Sequence, residues 1–195
     1  MLILGSLLKE IKMKKILIAT MALMTSLAFA GSITLEGQDQ LGDKGAKNSV
    51  NESISVKESI NKTFAADVAF VNYQQAITYA LSSRLEAGVT GAIPVGPIGV
   101  YTRVALGEKY TNGANFAYWS VEPGITYTIG AVTAKVGYRY RTATANPNAY
   151  NDTTDTSRVG LSYSITKKDA VGIRYDRVIG DSTNHSYNLN YTRSF

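Results

Sequence analysis

Arginine and lysine recur at alternate positions through the second half of this chain, and they set the chemistry to be weighed. Lys135, Arg139 and Arg141 share one parity within one segment, and Arg158 and Arg174 stand in the next two. Arg84, Arg103 and Lys57 stand in comparable segments upstream. Glu36, Glu86, Glu122 and Asp176 are the acidic residues of the same set. A guanidinium pairs with a carboxylate through two parallel bonds, so such a set suits mutual ion pairing or recognition of organic anions. Arg139 or Arg174 paired with Glu122 or Asp176 is one such arrangement. Residues of one parity share a face only on a strand, so the elements that carry this chemistry must be strands.

Hydrolytic chemistry finds little support. The single histidine, His185, precedes Ser186 and lies close to Asp181. Neighbours on a strand point to opposite faces, which makes His185 and Ser186 a poor nucleophile–base pair. The absence of cysteine excludes thiolate nucleophiles, thiolate metal sites and disulfides. No phosphate loop, histidine cluster or zinc spacing occurs, so no cofactor is expected. Asn148, Asn151, Asp152 and Asp155 could hold a loop calcium, but a solvated acidic loop is the ordinary explanation.

The alternation is clearest at the carboxyl end. Tyr187, Leu189, Tyr191 and Phe195 take one face, and Asn188, Asn190, Thr192 and Ser194 the other. Four more segments follow suit. Ala117 to Ile129 sets Trp119, Val121, Ile125 and Tyr127 against Ser120, Glu122, Gly124 and Thr126. Val132 to Tyr140 sets valines and tyrosines against Lys135, Gly137 and Arg139. Arg158 to Ile165 and Val171 to Tyr175 repeat the arrangement around Arg158 and Arg174. Thr78-Tyr79-Ala80-Leu81, Thr126-Tyr127-Thr128-Ile129 and Ser162-Tyr163-Ser164-Ile165 resemble one another, and each reads as the first arm of a tight hairpin.

A charged face opposite an apolar face fits a soluble sandwich, and it fits a closed barrel in lipid with inside and outside exchanged. The amino end decides between them. Met13-Lys14-Lys15, an apolar run from Ile16 to Leu27, and Ala28-Phe29-Ala30 read as a secretory signal peptide over residues 1–30. Residues Met1 to Lys12 are either a misassigned start or a long basic leader. Cleavage after Ala30 removes four lysines and Glu10, so the net charge of +5 falls to about +2 and gives no case for nucleic acid.

The expected fold is therefore all-β: residues 31–195 as a transmembrane antiparallel up-and-down barrel of about ten strands, with eight or twelve as alternatives. Gly130-Ala131 and Lys167-Lys168-Asp169 read as tight periplasmic turns. Tyr110–Ala114, Thr142–Thr156 and Ile179–His185 read as longer extracellular loops, with another at Asp39–Asn48. Phe64 to Val95 threads in two ways. One has a rising strand at about Phe70–Leu81, a descent at Leu85–Gly91 and a turn at Pro94-Val95-Gly96-Pro97. The other has a hairpin of Phe64–Val71 and Ala76–Leu81, followed by one long interrupted strand. The alanine-rich stretch Phe64–Arg84 also admits some helix.

The export signal, short strands, basic inward positions such as Arg139, Arg141 and Arg174, and terminal aromatic resemble the small monomeric porins of the oligogalacturonate-specific type. That resemblance implies a location in the cell outer membrane and a narrow channel for small anionic solutes or acidic oligosaccharides. The solute-contacting set would be Arg84, Arg103, Glu122, Lys135, Arg139, Arg141, Arg158, Arg174 and Asp176. Tyr191 and Phe195 would serve as the signal read by the outer-membrane assembly machinery. Membrane lipid is the other expected partner, and the protein is expected to be monomeric. The alternative is a non-conducting structural or surface-interaction barrel whose inward charges plug one another.

Overall fold

The computed structural model describes residues 31–42, 47–76, 78, 80–111, 115–144, 153–180 and 183–195. The expected signal peptide lies outside the described residues, as does most of the proposed loop around Pro147.

Ten strands account for the described residues: β1 (Gly31–Gly42), β2 (Lys47–Ser59), β3 (Phe64–Gln75), β4 (Leu81–Val95), β5 (Ile98–Tyr110), β6 (Phe116–Ile129), β7 (Val132–Ala143), β8 (Thr153–Ser164), β9 (Asp169–Ile179) and β10 (Thr183–Ser194). Each pairs antiparallel with the next, and β1 closes on β10, giving a barrel. The closing ladder runs from Ser32 opposite Ser194 to Gly42 opposite Asn184. A backbone bond from the Phe195 amide to the Gly31 carbonyl, 3.0 Å, extends it at one rim. Both ends of the described chain therefore share that rim.

The strands run from eleven to fifteen residues, enough to cross a hydrocarbon layer when tilted. Connections at the rim carrying the termini are short. Two of them turn on Gly96 at φ 61° and Gly130 at φ 56°, a left-handed conformation that a Cβ disfavours. The interior is the polar side of the wall. Among the described residues, thirteen polar or charged residues are buried against six apolar ones, while valines, leucines, isoleucines and tyrosines dominate the outside. Leu106 and Leu189 are each 66% exposed, which in water would be an aggregation liability and in lipid is an ordinary contact.

Ten strands match the expected count, and the faces of β6 to β10 fall as the alternation requires. The first threading of Phe64 to Val95 is the nearer one, with its turn after Val95. The observed β3 begins at Phe64 and stops at Gln75, and residues 76–80 connect it to β4 instead of continuing it. The Gln75 amide closes that connection on the Ala80 carbonyl at 3.0 Å. No helix occupies Phe64–Arg84 among the described residues. The three-fold resemblance fails here too: its second and third copies end strands at the terminus-bearing rim, and Thr78 belongs to a connection at the opposite rim. The strands also reach further into the expected loops at Asp39–Asn48 and Thr142–Thr156, because cross-strand pairing extends through threonine-rich sequence such as Thr142 opposite Thr153.

Placing a charge on the lipid face should be far costlier than a change on the inner face. Leu189→Arg is expected to destabilise folding into lipid vesicles by about 2–4 kcal/mol in urea titrations, and Asn190→Ser to remain near wild type. Equal losses at both positions would contradict the assigned faces.

Candidate functional site in the lumen

A cavity of about 920 Å³ occupies the barrel interior, lined by residues from all ten strands. All nine residues expected to face the lumen are inward, and the structure organises seven of them into two chains of ion pairs.

The first chain crosses β3, β5, β4 and β7. Arg103 donates from Nε to both carboxylate oxygens of Asp67, at 2.9 and 3.1 Å, and from Nη2 to Oδ2 at 2.5 Å. Its Nη1 reaches Glu86 Oε1 at 2.5 Å. The second oxygen of Glu86 accepts from Arg139 Nη2 and from the Tyr118 hydroxyl, the latter at 2.7 Å. Arg103 needs space for this fork. A Cβ at Gly88 would sit 2.7 Å from its Nη2, so the glycine on β4 is part of the arrangement.

The second chain runs around β7, β6, β8, β9 and β1. Glu122 accepts from Arg158 Nη1 and from the Tyr101 hydroxyl at 3.3 Å, with Lys135 Nζ at 3.6 Å. Arg158 Nε lies 3.6 Å from Asp176. Asp176 accepts from Arg174 Nε at 3.0 Å through both oxygens. Arg174 then reaches Glu36 at 2.8 Å from Nη1, and Asn188 Oδ1 at 3.2 Å from Nη2. The Lys135 ammonium also sits 4.3 Å above the Tyr101 ring.

The pairing of Arg174 with Asp176 agrees with the sequence reading. Arg139 instead pairs with Glu86 on the far side of the lumen, because β4 and β7 are not neighbours and only the curvature of the closed wall brings them together. Asp67 was missed, as were the roles of Tyr101 and Tyr118. An isolated acid on the Ala65, Ala69, Val71 face of β3 was the signal that could have found Asp67.

Glu86 and Glu122 are 4% and 2% exposed, so neither carboxylate exchanges its partners for bulk water. Arg84 and Arg141 each lie against a tyrosine. The Arg84 guanidinium lies over the Tyr73 ring at 5.6 Å, and that of Arg141 over the Tyr118 ring at 5.3 Å.

His185 and Ser186 do point to opposite faces. The histidine faces outward, with Nδ1 2.5 Å from the Tyr175 hydroxyl, and Ser186 is fully buried inside. Asp155 faces outward and accepts from the Tyr138 hydroxyl. Asn148, Asn151 and Asp152 lie outside the described residues. Among the described residues no group of three or more histidine, cysteine or acidic side chains is arranged to hold a metal.

No protein-family model and no curated protein matches the chain. The N-terminal β-barrel domain of Pseudomonas aeruginosa OprF is similar at 10% identity and a TM-score of 0.42, over 85% of this chain and 97% of that one. The translocator domain of the autotransporter NalP from Neisseria meningitidis is similar at 8% identity and 0.48, over 96% of each. The CymD monoaromatic hydrocarbon channel is similar at 13% identity and 0.44, over 90% of this chain and 59% of that one. Likenesses this distant assign neither activity nor solute. The closed wall, its apolar exterior and its charged interior make this chain a membrane-spanning barrel of the outer-membrane type on their own account.

Removing Glu86 from the first chain should strand Arg139 in a confined interior and leave Arg103 with Asp67 alone. Glu86→Ala is expected to destabilise the barrel by about 3–5 kcal/mol, measured by denaturant titration in detergent micelles. A loss below about 1 kcal/mol, the scale of an exposed pair, would show that Glu86 is solvated in the folded protein.

Proposed function

We propose that the protein is a monomeric outer-membrane channel, narrow and anion-preferring, that conducts small anionic solutes between the ion-pair chains. The observation that carries this reading is the charge of the cavity wall. Among the described residues, nine basic side chains line it against six acidic ones, an excess of positive charge in a confined space. Such a surplus raises the local concentration of anions and excludes cations. Acidic oligosaccharides are the finer form of the same reading, since arginine forks grip carboxylates.

The export signal in residues 1–30 and the terminal pair Tyr191 and Phe195 belong to this proposal as delivery and assembly signals. Tyr191 lies on the lipid side near the end of β10, Phe195 follows the strand and is exposed, and the Tyr191 hydroxyl donates to Asp169 at 2.6 Å.

A second reading has its own support. The chains from Asp67 to Arg139 and from Lys135 to Glu36 span much of the wall, and a fully engaged interior resembles the filled core of a smaller barrel. On that reading the barrel is structural and does not conduct. Planar-bilayer recording on refolded protein separates the two. Discrete conductance with a reversal potential on the anion side is expected. Absence of current favours the structural barrel, and cation preference contradicts the channel proposal.

A further inference from the structure

We propose that the outer wall carries a seat for one phosphate-bearing lipid, its acyl chain in a hollow beside β1 and its phosphate on Arg177. The hollow, about 880 Å³, lies across the outward faces of β2, β1, β10, β9 and β8. Val50, Leu161, Ile173, Tyr187 and Leu189 are among its lining residues. Gly37 opens it. This glycine stands outward in the middle of β1, opposite Leu189, and a Cβ there would meet nothing within 4 Å. Glycine weakens a strand interior and often marks a place where another group comes close.

The outer ladder of β9 on β10 is graded toward the rim opposite the termini. Ile173 faces Leu189, then Tyr175 faces Tyr187, then Arg177 faces His185. These pairs run from apolar to aromatic to polar, the order in which a lipid presents its chain, its interface and its headgroup. The Tyr175 and Tyr187 rings are 5.4 Å apart, and the His185 ring stacks on Tyr175 at 5.9 Å. The aromatic level is thus built against the upper edge of the hollow, with Arg177 directly above it.

Arg177 selects the phosphate. It is exposed, two residues before the end of β9, and among the described residues it has no carboxylate partner. Arg193, on the outer face toward the other rim, is already held by Asp169 at 3.2 Å. Two outward acids stand in the neighbourhood. Asp155 on β8 accepts from the Tyr138 hydroxyl, and Asp39 on β1 borders the far side of the hollow, with β10 between it and β9. Ser157, directly opposite Arg177 on β8, adds a hydroxyl. A guanidinium takes a phosphate through two parallel bonds, and the apolar hollow below favours a phosphate that carries a chain over a free ion. The seat lies on the lipid side of the wall and does not depend on whether the lumen conducts.

Electron paramagnetic resonance of chain-labelled lipids, in phosphatidylcholine vesicles holding the refolded barrel, tests it. Spin-labelled phosphatidic acid is expected to enter the motionally restricted fraction about fivefold more strongly than spin-labelled phosphatidylcholine, whose phosphate is masked by choline. Arg177→Gln should abolish that preference, and so should Gly37→Leu, which fills the hollow. Arg193→Gln should keep it. If Gly37→Leu does not fold, the two arginine variants decide. No preference in the wild type, or one that survives Arg177→Gln or Gly37→Leu, overturns the seat. A preference lost equally in Arg193→Gln overturns it as well, because attraction to charge alone would then suffice.

Discussion

Hydrocarbon offers a backbone amide no hydrogen-bond partner, and every other feature of this chain follows from that. A sheet left open in such a medium would expose a row of unpaired groups along each edge, so the wall has to close. The ladder between β1 and β10 does so, with Thr34 and Thr192 also joined by their hydroxyls across the seam at 2.8 Å. Closure separates the two faces of every strand. One meets lipid and must be apolar, and the other meets a narrow shared space and takes what remains.

What remains here is an unusual density of charge. Once closure gathers inward arginines from five strands, each becomes a cost unless a carboxylate meets it. Two chains of pairs supply that compensation, and tyrosines cover the cations or bridge to the acids. Glycine has a part in this as well. A Cβ at Gly124 would collide with the Tyr101 ring and one at Gly137 with its hydroxyl, so that side chain lies across two glycines of the wall in reaching Glu122.

Much of the wall was legible in the residues, because a period of two is a local property. From Phe116 onward each inward and outward position could be read directly, since Lys135, Arg139, Arg158 and Arg174 contrast sharply with valine and tyrosine neighbours. The stretch from Phe64 to Leu81 was ambiguous for an equally local reason. On β3 both faces carry apolar residues, Ala65, Ala69 and Val71 inside and Val68 and Phe70 outside, so the phase is weak. Residues Ala76 to Leu81 then offer strand-like composition where β3 has already ended at Gln75 and β4 begins only at Leu81. The partner of each charge was hidden for a different reason. Arg139 and Glu86 are 53 residues apart in sequence, and which acid meets which arginine depends on how the closed sheet is sheared.

The central claim is the assignment of faces around the closed wall, and β10 tests it most directly. Since the chain has no cysteine, single cysteines carrying nitroxide labels can be placed one at a time from Tyr187 to Thr192 and read in vesicles by electron paramagnetic resonance. Collision with oxygen dissolved in the bilayer should peak at Tyr187, Leu189 and Tyr191 and fall at Asn188, Asn190 and Thr192. A profile without that two-residue period, or one with Leu189 shielded from lipid, would contradict the account.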